Sequence, residues 1–224
     1  MHIVKISIHN FRCIETATIF PAENNVLLGP NNIGKTAVLE ALNLTLNPEM
    51  GSRWKVIDEN DFYERRYLPF GEGEEASHIR IELVLAGMTV EDEDTFREYL
   101  IPWLEDTKEI VESSEEGVNP FASAVPALRV VFEGWYDSEE DEFNSATYFL
   151  PEASLTREDC PTFTRQHKRR IGFLIYRDFR ALTRPITLEY GNLFSTLLQS
   201  RDVQPKHFEE ALNGAARCPG ANDA

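Results

Sequence analysis

The order of apolar and polar residues predicts a series of short strands, most of them within the first 150 residues. Residues 3–8 alternate between apolar and polar positions, and residues 14–20 do so again, which is typical of half-buried strands. The short link between them predicts an antiparallel hairpin. Further apolar runs predict strands at 25–28, 79–85, 128–136, 146–150 and 171–176.

Helical spacing is clearest over residues 35–46, where Val38, Leu39, Leu42 and Leu46 recur at intervals that place them on one side of a helix. Pro48 predicts its end. Weaker patterns predict helices at 91–104, 193–198 and 207–212, and an exposed linker at 105–126. Residues 1–215 are therefore expected to form the folded part, with 216–224 as a tail that has no reason to order.

Composition places the chain among ordinary globular proteins. It has 224 residues, of which 42% are hydrophobic and 27% are charged. This excludes collagen, a disulfide-stapled mini-protein and a chain disordered throughout. The net charge of −16 excludes non-specific coating of nucleic acid, so any such contact needs a local basic patch.

Cysteine usage and the amino terminus indicate a cytoplasmic protein without a membrane partner. The three cysteines are far apart and none lies in a CxxC pair, which predicts neither a zinc knuckle nor a disulfide framework. The first residues have the pattern of a strand instead of a signal peptide. No apolar run approaches the length that a bilayer requires.

The most specific motif is a phosphate-binding loop, G-x-x-x-x-G-K-[ST], between a predicted strand and the predicted helix. The glycines allow a loop whose backbone N–H groups face inward, at a helix N-terminus where the dipole favours negative charge. We predict that nucleotide is bound by this loop and the residue after it: Gly29, Pro30, Asn31, Asn32, Ile33, Gly34, Lys35, Thr36 and Ala37.

The loop chemistry also predicts the cofactors, ATP and Mg²⁺. Lys35 is expected to reach the β- and γ-phosphates as a point charge. The Thr36 hydroxyl is expected to take one position on Mg²⁺, which keeps water and phosphate oxygens as its other ligands.

The first 46 residues indicate which class of nucleotide-binding protein this sequence resembles. Asn10-Phe11-Arg12 lies between two predicted strands, upstream of the loop. Residues 1–46 resemble the ABC-type heads of the SMC, RecF and OLD group of DNA-maintenance ATPases, in which an NFR hairpin precedes GxNxxGKT. The resemblance implies an α/β P-loop NTPase fold: the first lobe of an ABC-type head with an antiparallel β-subdomain. It also implies that Arg12 lies near the nucleotide; the alternative is a surface arginine in a hairpin turn.

Two looser likenesses follow. Residues 58–62 resemble the acidic-Phe stretch that OLD-type proteins carry after the first helix, and residues 176–180 lie where such proteins have a strand followed by arginine. Because related heads use a glutamine near magnesium in a loop after that helix, Asp61 is a candidate metal residue. The alternative is an exposed carboxylate.

A basic strip spans residues 165–184, with seven basic residues against one acid, Asp178. It is interpreted either as a phosphate-facing surface, for DNA or for the nucleotide, or as a solvated face that balances acidic neighbours. On the first interpretation Arg177 and Arg180 are the candidate contacts. The five histidines show no metal-binding spacing and no pairing with carboxylates, so none is assigned to a metal.

Several parts of a complete ATPase of this group are missing from the sequence. No apolar strand ends in Asp-Glu, since 130–133 ends in Glu133 alone and 173–178 ends in Arg-Asp. An LSGG signature and an acidic Toprim constellation are absent too. We therefore expect an amino-terminal part of a larger protein, which alone binds nucleotide weakly and hydrolyses it poorly.

Together these features predict the ATP-binding lobe of an OLD- or RecF-like, SMC-related ATPase. ATP would bridge two heads, in a homodimer or larger assembly, and would switch DNA engagement or cleavage in the complete protein. Two alternatives stay open. One is a stand-alone P-loop kinase whose basic strip covers the phosphates; the other is a non-enzymatic module that responds to ATP.

Overall fold

The computed structural model describes residues 1–50, 56–69, 76–111, 121 and 123–175. The chain divides into two compact units, Met1–Ile171 and Gly172–Ala224. Every helix and strand named below belongs to the first unit. Of the second unit the structure describes residues 172–175, which form neither helix nor strand.

The first unit is built on a seven-stranded sheet in which every strand pair is antiparallel. The order across the sheet is β2-β1-β3-β6-β4-β5, and β7 pairs with β6 beside β4. The bounds are β1 His2–Phe11, β2 Ile14–Ile19, β3 Ile79–Ala86, β4 Leu100–Leu104, β5 Glu109–Ile110, β6 Val125–Asp137 and β7 Glu142–Phe149. The predicted hairpin at the amino terminus and the strands at 79–85, 128–136 and 146–150 are confirmed.

The first helix, α1, Lys35–Leu46, covers one part of the core, and its bounds agree with the prediction. Two further buried clusters surround Trp103 and Tyr148. Ile8, Ile81 and Phe132 align across β1, β3 and β6, and all three are buried. The helix packs on β1 and β6 and buries Ala37 and Ala41, one turn apart. Small residues on this face let the helix approach the sheet closely.

The prediction of one helix over 91–104 is wrong beyond its first five residues. Helix α2 spans Val90–Thr95, and a capping box between Thr89 and Asp92 sets its start. Its acidic first turn suits the helix dipole, as expected. The chain then becomes strand β4, which contains Pro102, because proline within a helix removes a hydrogen bond and clashes with the preceding turn.

Two predicted strands are absent. Residues 25–28 form no strand, and the side chains of Val26 and Leu28 are 80% and 86% exposed, so this apolar run has no neighbour to pair with in the described part of the chain. The predicted strand at 171–176 is wrong over 171–175: Ile171 ends helix α3, Arg165–Ile171, and Gly172 follows with φ +71°. A left-handed glycine is a common helix stop.

Several predictions fall outside the described residues: the helices at 193–198 and 207–212, the tail at 216–224, and the basic residues Arg177, Arg180 and Arg184. The linker expected at 105–126 includes strand β5 and the first residues of β6.

Candidate nucleotide-binding site

The loop that precedes α1 has the backbone that the motif requires. Gly29 and Gly34 have φ values of +154° and +102°, and Asn32 has φ +66°. A Cβ atom at Gly34 would lie 3.4 Å from Ile14 Cγ1 and 3.5 Å from Cys13 Sγ. These are ordinary van der Waals distances, so Gly34 is needed for its left-handed conformation and not because the β1–β2 turn leaves no room for a side chain.

The N-terminus of α1 is open toward an anion. Gly34 occupies the cap position, no side chain accepts a hydrogen bond from the first turn, and that turn contains no acidic residue. The first N–H groups of a helix have no partner within the helix, and the dipole adds partial positive charge there. Thr36 is exposed in this turn while Ala37 is buried behind it. The geometry suits a phosphate group.

Lys35 lies folded back on the loop. Its Nζ donates to the Gly29 carbonyl oxygen at 2.7 Å and also to the Pro30 carbonyl oxygen. These neutral acceptors hold the ammonium group beside the loop. A phosphate oxygen is a stronger partner for an ammonium group than a carbonyl, because both partners are then charged.

Arg12 is the first residue of the two-residue turn between β1 and β2, and it is held by Asp61. Its Nε donates to Asp61 Oδ1 at 2.8 Å, and its backbone N–H donates to the Asp61 carbonyl oxygen at 2.7 Å. Asp61 Oδ2 accepts from the Asp58 N–H at 3.1 Å. The carboxylate is thereby fixed on both oxygens.

The rest of the NFR turn is built on the same segment. Asn10 accepts through Oδ1 from the Tyr63 N–H and donates through Nδ2 to the His78 carbonyl oxygen. Phe11 and Phe62 form an isolated antiparallel bridge, and both side chains are buried. The two stretches that carry the family resemblance, about 50 residues apart in sequence, thus form one structural unit beside the phosphate loop.

Comparison with known protein families identifies the family to which this chain belongs. A family model described as AAA ATPase domain matches residues 1–143. The chain belongs to this AAA ATPase family. Its P-loop NTPase fold follows. The antiparallel sheet contains most of the predicted strands, but it lacks residues 25–28 and includes β4, which was predicted as helix.

Curated relatives match a short segment of this AAA ATPase domain. The DNA replication and repair proteins RecF of Xanthomonas oryzae pv. oryzae and Xanthomonas euvesicatoria pv. vesicatoria are 49% identical over 45 residues. That segment is 20% of this chain and 12% of each relative, so the chain spans about an eighth of their length. With the family match, this confirms the predicted SMC/RecF-type ATPase head.

A solved structure from work on ATP-driven dimerization and DNA-stimulated activation of SMC ATPases also aligns with this AAA ATPase domain. The alignment covers 95% of this chain and 98% of that one, at 9% identity and a TM-score of 0.39.

The candidate metal residues of the AAA ATPase domain lie in two places. Thr36 is in the first turn of α1, where a cation bound to phosphate would sit. Asp61 is paired with Arg12 and not exposed. Among the residues that the structure describes, no group of three or more His, Cys, Asp or Glu side chains is arranged to hold a metal ion. A metal would therefore depend on the nucleotide for most of its ligands.

The three arginines in the described part of the basic strip are paired with acids. On α3, Arg165 and Arg169 pair with Glu49, and Arg170 pairs with Glu91 and Asp92. The Arg165 hydrogen bond lowers the pKa of Glu49. These contacts favour the interpretation of this helix as a charge-balancing face. Arg177 and Arg180 lie outside the described residues.

Sequence reasoning missed one polar network on the sheet. His78 Nδ1 lies 2.8 Å from Glu133 Oε1, and the Tyr148 hydroxyl donates to Glu133 Oε2 at 3.0 Å. The hydrogen bond from His78 lowers the pKa of Glu133, while burial and the charge of Glu133 raise the pKa of Tyr148 to about 12. The expectation that no histidine pairs with a carboxylate is thus wrong. The partners are 55 residues apart, so spacing alone carried no signal.

No helix in the described ranges has the length and apolar character needed to cross a membrane.

Proposed function

We propose that this AAA ATPase domain binds ATP with Mg²⁺ and is the first lobe of an ABC-type head in an OLD- or RecF-like, SMC-related ATPase. The observation that carries the proposal is the loop from Gly29 to Thr36. It combines left-handed backbone at Gly29 and Gly34 with an uncapped helix N-terminus. These features support the binding of a triphosphate by main-chain N–H groups.

The loop residues then have separate roles. The N–H groups of residues 31–36 surround the phosphates. Lys35 leaves the carbonyl oxygens of Gly29 and Pro30 and neutralises charge on the β- and γ-phosphates. The Thr36 hydroxyl takes one position on Mg²⁺, and Arg12 approaches the phosphates from the β1–β2 turn.

Exposed apolar side chains support the proposal that this is one lobe of a larger head. Val26, Leu28, Ile33 and Leu39 are all exposed around the loop and on the outer side of α1. A monomeric surface rarely presents such a group without a partner. In the complete protein we propose that residues 25–28 pair with strands of a second lobe, and that ATP joins two such heads.

The partners and the biological role follow from the family as proposals. RecF relatives are DNA replication and repair proteins, and we propose that ATP binding by the complete protein in the cytoplasm switches its engagement of DNA, or DNA cleavage if a nuclease is present. An acceptor-dependent loss of the γ-phosphate would instead indicate a kinase. ATP-induced dimerisation without turnover would support the head.

Replacing Lys35 by alanine is expected to raise the Kd for ATP·Mg²⁺ at least about tenfold, because the loop loses its only side-chain cation directed at the phosphates. The measurement is calorimetric titration of the 224-residue chain. Lys108→Asn is the matched control: it removes the same charge at a left-handed position that asparagine tolerates, φ +59°. Equal Kd values for wild type and Lys35→Ala, or no binding by wild type, would contradict the proposal.

A further inference from the structure

Arg12 occupies a backbone position that normally belongs to glycine. Phe11 pairs with Ile14 across the turn, so Arg12 and Cys13 are its two central residues. Arg12 has φ +54°, and Cys13 is not among the residues with positive φ. Two-residue hairpins with positive φ at the first central residue favour glycine there, and another residue is strained. The turn therefore keeps an arginine at a cost in backbone energy.

Asp61 compensates for that strain and also orients the side chain. It accepts from the Arg12 backbone N–H and from Nε. Binding at Nε leaves the edge of the guanidinium that carries both Nη atoms, and no residue that the structure describes is hydrogen-bonded to that edge. Asp61 is itself fixed by the N–H of Asp58. The guanidinium is thus held at Nε by a carboxylate whose own orientation is fixed by a second hydrogen bond.

The held arginine lies next to the phosphate loop. Cys13 and Ile14, the residues that follow it, are the side chains against which Gly34 packs. Gly34 immediately precedes Lys35 and the first turn of α1. A residue that positions Arg12 therefore also sets where its Nη atoms lie relative to the anion site.

We infer that Asp61 is a positioning residue for Arg12, holding its Nε so that the Nη edge faces the nucleotide phosphates. This inference rests on the proposed nucleotide binding and replaces a metal role for Asp61. The positioning role predicts a change in ATP affinity in the opposite direction to the change that electrostatic repulsion alone predicts. Removing a carboxylate near a phosphate site should strengthen ATP binding by reducing repulsion, whereas removing a positioning carboxylate should weaken it.

The test is a double-mutant cycle on the 224-residue chain, with the Kd for ATP·Mg²⁺ measured by calorimetry. Asp61→Ala is expected to raise the Kd about fivefold to tenfold, since a charge-assisted contact of Arg12 is then misplaced. In an Arg12→Gly background the same change should alter the Kd less than about twofold. Asp61→Asn retains an oxygen acceptor for Nε but places its NH2 group against the Asp58 N–H, so it should recover part of the affinity.

Two companion measurements separate positioning from general damage to the fold. Glu59→Ala removes an exposed acid from the same short helical turn, one that pairs only loosely with Arg65 at 3.8 Å, and should leave the Kd unchanged. Arg12→Gly relieves the strained φ, so its Tm should stay close to that of the wild type while its ATP affinity falls.

The outcomes are distinct. Tighter or unchanged ATP binding by Asp61→Ala, or an equal loss in the Arg12→Gly background, would overturn the positioning role. If Lys35→Ala still abolishes binding in that case, the proposed function stands and this inference alone fails. If the wild-type chain binds no ATP, both fail.

Discussion

Replacing Phe62 by alanine is expected to lower the free energy of unfolding by about 3–5 kcal/mol, the range seen when a buried phenylalanine is truncated. Phe62 is 1% exposed. Its ring lies 5.8 Å from that of Tyr67 and 5.7 Å from that of Phe143, measured between centroids. The loss combines apolar contact with the tilted ring packing of this cluster.

The measurement is urea unfolding followed by circular dichroism, with the transition midpoint and slope compared between variants. Phe20→Ala is the matched control, because Phe20 is 41% exposed and contacts Lys108 at the surface. It should cost less than about 1 kcal/mol. Equal losses for Phe62→Ala and Phe20→Ala would mean that the 58–66 segment is not packed against the NFR turn.

Replacing Lys168 by methionine is expected to stabilise the protein by about 3 kcal/mol at pH 7, from the size of its pKa shift. Lys168 is 6% exposed on α3. Its Nζ donates to Thr147 Oγ1 at 3.4 Å and lies over the Phe163 ring, and no carboxylate in the described part of the chain pairs with it. Burial lowers its pKa from 10.5 to about 8. Methionine keeps the length of the side chain without a charge to bury.

The direction of this pKa shift determines how the stability of the protein changes with pH. With a folded pKa of about 8 and an unfolded value near 10.5, the folded state binds this proton less tightly. The cost is full below pH 8 and disappears as pH rises toward 10.5. The advantage of Lys168→Met should therefore shrink over that interval in chemical denaturation. Gln166→Met, an exposed position on the same helix, should show no such trend; a flat difference for Lys168→Met would refute the buried charge.

The parts of the fold that the sequence predicts well are those whose signal is local. Helix α1 agrees with its spacing of apolar residues, and strands β3 and β6 lie where runs of apolar residues predict them, although β3 is buried on both faces. The helix predicted over 91–104 is wrong beyond its first five residues, and Pro102 within that range is a local signal against it, because proline strains the interior of a helix. Residues 25–28 show that a local preference is not sufficient. Their apolar side chains favour a strand, but a strand needs a neighbouring strand, and none of the described residues supplies one.

The features of the candidate site also divide into those with a local sequence signal and those that depend on distant residues. The phosphate loop was predictable because its residues are consecutive and their roles follow from backbone conformation. The ion pair of Arg12 with Asp61 and the pairing of His78 with Glu133 were not, since their partners are 49 and 55 residues apart. The stretches around Arg12 and around Asp61 each have a sequence signal of their own. Only the sheet and the bridge between Phe11 and Phe62 bring them together.

The central claim is that the loop before α1 holds a triphosphate, and a crystal of the chain soaked in millimolar ATP and Mg²⁺ tests it most directly. The account predicts phosphate density enclosed by the N–H groups of residues 31–36, with Lys35 Nζ moved from the carbonyl oxygens of Gly29 and Pro30 to a phosphate oxygen. A well-ordered loop with Lys35 still on those carbonyl oxygens, and no nucleotide, would contradict it.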